Sequence, residues 1–467
     1  MASPKVSVII PTYGGADFLG EAIQSVLDQT FKDFELIVVN DASPDDTDAV
    51  IQRFNDPRLK YIKHERNLGV GYARKNGLLQ SSGAIIANLD QDDLYHPEKL
   101  QLHVDYLDKH PEVGLTYNSR YELYPSSNDI REILRPSPDL ALADLVLGYP
   151  IAPSVWVQRR EWALLDEIWD ENTFFRGKEI VICGRLYMAG CKFAMVDRAL
   201  NYRRYHKHRT MSDLIGKCEA ERKCQQIIFD DPRCPPDVLA LKDIAASNIY
   251  AMWAYVAYLQ DEIDLAREFI GNAVRLNPDW LKGTPPALVN ALTVDSIDNE
   301  GTGHELVLAT MFKNLPPEAA QLEKYYSWAV TRGYLMQGVR AVMWDRQAKA
   351  QEYFSNVKMN SNPVDESFFE WAITHLLSYE IEFGTSSAKR VIQDLCRYMK
   401  PFKVPNFEHN LKSHYYVNRA FMSYQSGVYD KVPASVIQAV LNRPAYLRNK
   451  GLLSVLVRSL PLLRHSR

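Results

Sequence analysis

Residues 6 to 118 constrain the fold more than any other part of the chain, because strand and helix signals alternate there without interruption. Val6-Ser7-Val8-Ile9-Ile10 is a β-rich run, and the segment from Asp17 to Asp28 then sets Phe18, Ala22, Ile23, Val26 and Leu27 on one helical side. Phe34 to Val39 reads as a second strand, and Ser43 or Pro44 opens a helix with Asp45, Asp46 and Asp48 in its first turn. Leu59 to Ile62 is a third strand, Val70 to Leu79 a helix, and Ala84 to Leu89 a fourth strand. Strictly alternating units of this kind predict a mostly parallel sheet covered by helices, in which ligands bind beyond the carboxyl ends of the strands.

Three segments fall at those strand ends. Pro11-Thr12-Tyr13 follows the first strand, Asn40-Asp41-Ala42-Ser43 the second, and Asp90-Gln91-Asp92-Asp93 the fourth. The last places three carboxylates within four residues, just ahead of Pro97, which can open a helix. Crowded carboxylates repel unless a cation sits among them, and a hard divalent ion suits oxygen ligands. Asp41 can accept a hydrogen bond from a base N–H, Tyr13 can stack on a flat ring, and a metal at Asp92 can neutralise a diphosphate. Taken singly, the same residues also read as a packed core aromatic, a turn with an N-cap, and a solvated acidic turn.

The remaining composition narrows the setting. At 467 residues the chain is expected to hold two or three domains, and 46% apolar with 24% charged residues fits a globular protein. A net charge of -4 gives no support for nucleic-acid binding. The six cysteines show no metal spacing and read as reduced thiols of a cytoplasmic protein. Leu140 to Val157 is broken by Asp144, Gly148, Pro150 and Pro153, so no membrane span is expected.

Four motifs together resemble the family 2 glycosyltransferases of GT-A fold. They are Val8 through Tyr13, Ile37 through Ser43, Asn67-Leu68-Gly69 with Ala73-Arg74-Lys75-Asn76-Gly77, and Leu89-Asp90-Gln91-Asp92-Asp93. The resemblance covers about residues 5 to 212 and implies a nucleotide-diphosphate-sugar donor, a UDP-sugar by preference. It implies Pro11, Thr12, Tyr13 and Asp41 at the nucleoside and Arg74 near the donor phosphates or sugar. Asp90 and Asp92 become the DxD pair that serves the donor and Mn2+ or Mg2+, and the acceptor is a glycan, glycolipid or protein hydroxyl.

The family's acceptor side carries a Glu-Asp pair ahead of Arg-Leu and Ala-Gly. Arg185-Leu186 and Ala189-Gly190 stand here, so Lys178-Glu179 falls where the pair is expected and Glu179 takes the general-base role. Asp170 and Glu171 are rival candidates. In Leu200 to His208 the resemblance points to His206, and after it His208, near the metal or the leaving diphosphate. The departure at Glu179 also admits a catalytically weakened domain acting as a scaffold. A nucleotidyltransferase shares the sheet and the metal, but no Gly-rich phosphate loop is present.

Past about residue 215 the signals become helical. The domain plan is 1–212 catalytic, 213–240 linker and 241–467 all-α, with Ala246 to Trp280 resembling a tetratricopeptide helix pair. The block Ala266 to Ala273 recurs at Ala350 to Val357, and a weaker echo runs to Pro444. From Lys431 onward there are basic residues and no acid, and Leu452, Leu453, Leu456, Leu460 and Leu463 share a helical face. That segment reads either as a helix lying on an anionic membrane or as a final helix packed on the preceding repeat.

Overall fold

A computed structural model describes residues 3–124, 129–148, 151–169, 178–204, 213–298, 303–359 and 362–462. The chain divides into two compact units, one of Met1–Leu288 with Lys313–Gln321, the other of Val289–Phe312 with Leu322–Arg467.

The first unit is built on one nine-stranded sheet. Its strands are β1 (Val6–Thr12), β2 (Phe34–Asn40), β3 (Leu59–Lys63), β4 (Ile85–Asn88), β5 (Leu94–Tyr95), β6 (Val113–Leu123), β7 (Ile130–Leu134), β8 (Trp156–Arg159) and β9 (Lys192–Arg204). They lie in the order β3-β2-β1-β4-β8-β6-β9-β5, with β7 paired to β6. The first four are parallel, as the alternation predicts. Beyond β4 the sheet is mixed: β8 is antiparallel to β4 and β6, β9 runs parallel to β6, and β5 is antiparallel to β9.

Strands β1, β2 and β4 are buried along their whole length because helices cover both faces. Val6, Val8, Ile10, Leu36 and Val38 pack with Leu19, Ala22, Ile23 and Val26 of the helix Ala16–Leu27. The intervening residues Ile9 and Ile86 pack with Leu78, and Ile37 and Val39 with Ala73, both from the helix Val70–Gln80. That helix comes so close that a Cβ at Gly77 would stand 2.6 Å from Ile9 Cγ2. The edge strand β3 carries exposed Lys60 and Lys63, charges that discourage pairing with another chain.

Two local expectations shift. The helix expected from Ser43 or Pro44 begins only at Thr47. The Asn40 side chain accepts from the Ser43 amide at 2.8 Å and Ala42 adopts φ of 59°, so the chain completes a turn first. Residues 213–240, read as a linker, contain the helix Leu214–Phe229, whose Cys218, Cys224, Ile228 and Phe229 are buried.

Among the described residues, three helical hairpins that share one kind of turn follow, one in the first unit and two in the second. They are Lys242–Leu259 with Ile263–Leu276, Tyr326–Met343 with Gln347–Ser355, and Phe407–Gln425 with Val432–Asn442. Each first helix ends on a left-handed residue: Asp261, Asp345 and Gly427, with φ of 62°, 54° and 72°. The next amide closes the turn onto a carbonyl five residues back, Glu262 to Ala257, Arg346 to Ala341 and Val428 to Ser423, a Schellman termination. The sequence echoes at Ala266 and Ala350, and the third near Ile437, all fall on second helices of these hairpins. The long helix Glu366–Met399 breaks at Gly384, where φ is 82°. The final helix, Lys450–Leu462, departs from the uniform leucine face: Leu452 and Val455 are buried, whereas Leu460 is half-exposed and Val457 more so. Leu463 lies outside the described residues.

Candidate active site

The carboxyl ends of β1, β2 and β4 meet on one edge of the sheet. Pro11 and Thr12 are buried there, and Tyr13 is 49% exposed, so it is not a core aromatic. Gln91 ties the first strand end to the acidic turn. Its Oε1 accepts from the Thr12 hydroxyl at 2.6 Å and the Tyr13 amide at 2.9 Å, and its Nε2 donates to the Tyr13 carbonyl at 3.2 Å. The residue between Asp90 and Asp92 therefore splices the two loops. Charge-based reading of the sequence passed over it, since its role rests on shape and not on sign.

Asp41 is 2% exposed. One carboxylate oxygen lies 2.7 Å from His64 Nδ1 and accepts the Leu68 amide at 2.9 Å, while the other accepts the Gly69 amide at 2.7 Å. His64 Nε2 in turn meets Asn76 Nδ2 at 2.9 Å. This chain of contacts fixes the turn that begins the helix Val70–Gln80, so Asp41 is engaged mainly with its own fold.

That helix delivers Arg74 to the end of β4. The guanidinium is 7% exposed, bonds Asp90 through Nη2, and reaches Glu179 Oε1 at 3.4 Å through Nη1. Burial works against its charge, and the two carboxylates, Asp90 and then Glu179, more than offset that and hold its pKa above the ordinary value. Glu179 stands in the first turn of the helix Lys178–Met188, with its side chain 24% exposed. The structure thus brings together Arg74, Asp90 and Glu179, which are distant in sequence. Asp170, Glu171, His206 and His208 lie outside the described residues.

Behind the acidic turn sits a buried polar cluster. Lys99 Nζ donates to Asn118 Oδ1 at 2.6 Å and Asn201 Oδ1 at 2.9 Å, and Asn201 donates to the Ser154 carbonyl at 2.6 Å. The Ser154 hydroxyl accepts the Asp90 amide at 3.1 Å, linking the cluster to the turn. Burial pushes the Lys99 ammonium well below its ordinary pKa.

Asp90 and the half-buried Asp92 give the turn a hard oxygen donor set. Among the described residues no three His, Cys, Asp or Glu side chains cluster as a complete metal site. Magnesium-type sites commonly take one or two carboxylates and complete their shell with substrate phosphates and water, and these two acids fit that pattern.

Fold and strand-end turn together define an α/β domain whose candidate site lies at the sheet edge. The family model described as Glycosyl transferase family 2 matches residues 7–201, and this segment is a family 2 glycosyltransferase domain. An uncharacterized glycosyltransferase of Rickettsia typhi is 36% identical over 134 residues, covering 29% of this chain and 42% of that protein. The Escherichia coli UDP-Glc:alpha-D-GlcNAc-diphosphoundecaprenol beta-1,3-glucosyltransferase WfgD is 32% identical over 131 residues, 28% of this chain and 51% of that protein. Both matches leave about half or more of the relative uncovered. Staphylococcus aureus TarS 1-349 in complex with UDP-GlcNAc aligns with a TM-score of 0.42 and 19% identity, over 77% of this chain and 95% of that one.

Proposed function

We propose that the protein is an inverting glycosyltransferase that moves a sugar from a nucleotide-diphosphate-sugar, by preference a UDP-sugar, to a hydroxyl of a glycan, lipid-linked or protein acceptor. One observation carries the reading: Arg74 bridges the first acid of the DxD turn and the acceptor-side Glu179, which puts a buried cation between the two halves of a displacement site. Tyr13, exposed at the strand end, is the residue available for stacking on the base, with Pro11 and Thr12 shaping the loop. Asp41 acts by holding the 68–69 turn, and so Arg74, in place.

In the reaction Glu179 accepts the proton of the acceptor hydroxyl as that oxygen bonds to the anomeric carbon. The bond from that carbon to the diphosphate oxygen breaks, and its electron pair leaves with the nucleoside diphosphate. Arg74 faces the charge that develops there. Asp90 and Asp92 would hold Mn2+ or Mg2+, which when bound lends further positive charge to the phosphates; His206 is the candidate from the chain's own sequence to join them. Residues 1–212 are the catalytic part in this reading, and the hairpins from residue 241 are a tetratricopeptide-like domain. A thermal-shift series with UDP, GDP and their sugars, with and without Mn2+, tests it. Stabilisation by UDP that grows with Mn2+ is expected, and a flat response to every nucleotide overturns it.

A second observation favours peripheral attachment to the cytoplasmic face of an anionic membrane. Ile437, Leu441, Leu447, Val457 and Leu460 are each about half or more exposed, among Arg443, Arg448, Lys450 and Arg458. No helix among the described residues is long and apolar enough to cross a membrane, so contact would be at the surface. Flotation with phosphatidylglycerol vesicles, for the full chain and one ending at Asn449, tests this; equal binding by both chains, or none, overturns it.

A further inference from the structure

Lys99 opens the helix Lys99–Lys109 and is fully buried, and among the described residues it forms no ion pair. Its Nζ meets the side-chain carbonyls of Asn118 and Asn201 and, at 4.9 Å, the face of the Tyr95 ring. A lysine so placed is a burden on the fold. Ionised, it lacks a carboxylate; neutral, it has given up a proton that it would keep in water. An apolar side chain of similar length would fill the same space at lower cost, so stability does not account for this residue.

What the amine does hold is a pair of amides. Asn118 Nδ2 donates to the Ser119 carbonyl at 2.6 Å and to Asn201 Oδ1 at 2.9 Å, and Asn201 Nδ2 donates to the Ser154 carbonyl at 2.6 Å. Both amide nitrogens are committed to backbone carbonyls and both amide oxygens turn toward Lys99, so neither side chain can flip without losing a bond at each end. Asn201 then reaches the acidic turn from two sides. Its backbone pairs with Tyr95 beyond the turn, and its side chain holds Ser154, whose hydroxyl accepts the Asp90 amide at 3.1 Å where the turn begins. Tyr95 closes the loop by donating its hydroxyl to the Asn88 carbonyl at 2.6 Å. Buried networks of this kind stiffen a structure when every member is satisfied.

We infer that Lys99 and Asn201 are positioning residues for Asp90: Lys99 fixes the Asn201 amide, Asn201 fixes Ser154, and Ser154 sets the backbone from which the Asp90 carboxylate meets Arg74. The inference rests on the nucleotide-sugar reading above for its consequence, since a shift of about 1 Å in Asp90 would reach the donor as lost affinity.

Lys99→Met is the decisive variant. It leaves no bare acceptor, because Asn118 Oδ1 keeps His103 Nε2 at 2.9 Å and Asn201 Oδ1 keeps Asn118 Nδ2. Amide exchange followed by mass spectrometry on the ligand-free full chain reads the positioning itself. The peptide that holds Asp90 should exchange about tenfold faster than in the wild type, while peptides of β1 and β2 exchange as before and the melting temperature does not fall. Calorimetric titration with UDP in Mn2+ reads the consequence: about tenfold weaker binding in Lys99→Met and in Ser154→Ala, with no further loss in the double variant because both act along one path. Unchanged exchange at Asp90 in Lys99→Met overturns the inference, as does faster exchange throughout with a lowered melting temperature, which would make Lys99 a core residue only. Losses that multiply in the double variant overturn it too. A wild type that does not bind UDP overturns the nucleotide-sugar reading instead, and the exchange at Asp90 still decides the role of Lys99.

Discussion

Asp41 Oδ1 lies 2.7 Å from His64 Nδ1, and both side chains are almost wholly withdrawn from solvent. The pair sits under the turn that launches the Arg74 helix, and the same carboxylate accepts the Leu68 and Gly69 amides. Asp41→Ala strands these donors together, each costing about 1–3 kcal/mol when left unsatisfied. A loss of about 3 kcal/mol in urea unfolding is expected, with a proportionate loss of nucleotide affinity in the fraction that stays folded. His64→Ala should cost less, because the amides keep their acceptor.

Glu179→Gln keeps the shape of the residue and removes its basicity. Transfer is expected to fall by about 10²–10⁴ in kcat, the usual scale for losing a general base, while UDP affinity holds. Asp92→Asn should instead raise the Mn2+ concentration needed for half-maximal activity. Full transfer by both variants with an intact fold would remove the basis for the proposed mechanism.

Gln91 joins two loops without carrying charge. Gln91→Ala deletes three hydrogen bonds between the β1 end and the acidic turn. Nucleotide binding is expected to weaken by about tenfold, with the melting temperature of the free protein changed little. Gln91→Glu, which cannot donate to the Tyr13 carbonyl and would crowd Asp90 and Asp92, should be the more damaging substitution.

Asp295, in the helix Ala287–Ser296, has its pKa pushed up to about 7 by burial and by the nearby Asp298. A carboxyl whose folded pKa exceeds its unfolded one stabilises the fold in its protonated form. That contribution is complete below about pH 4 and lost as the pH rises through about 7. Asp295→Asn should therefore flatten the part of the urea-midpoint profile that declines between about pH 4 and 7, read by far-ultraviolet circular dichroism.

The parallel half of the sheet was legible because β1, β2 and β4 are buried on both faces and so appear as unbroken apolar runs. The turn acids stood out from their place at the end of the fourth strand, whereas Arg74 was singled out only through the family resemblance. The partners of Asp41 were not legible, since His64 and Asn76 carry no sequence mark that separates a buried relay from surface polar residues. The mixed half was equally hidden. Strand β8 has four residues and β5 two, too short for periodicity to declare them. The start of the helix at Thr47 depended on an Asn40 side-chain bond that pattern reading cannot weigh against the proline at 44. The hairpin repeat showed in the sequence only as echoes on second helices, because what recurs most faithfully is a backbone angle at Asp261, Asp345 and Gly427.

The order in which strands enter the sheet sets a timetable for synthesis. β1 to β4 are neighbours in space and come early in the chain, so they can pair as the chain emerges. Tyr95, directly beyond the acidic turn, instead pairs with Asn201, and Leu94 with Tyr202. The ribosome must therefore deliver the whole stretch through β9 before the far side of the turn gains its partner strand. A nascent chain stalled between β4 and β9 therefore presents Asp90 and Asp92 on a turn whose far side has no partner strand until residue 202 has left the ribosome.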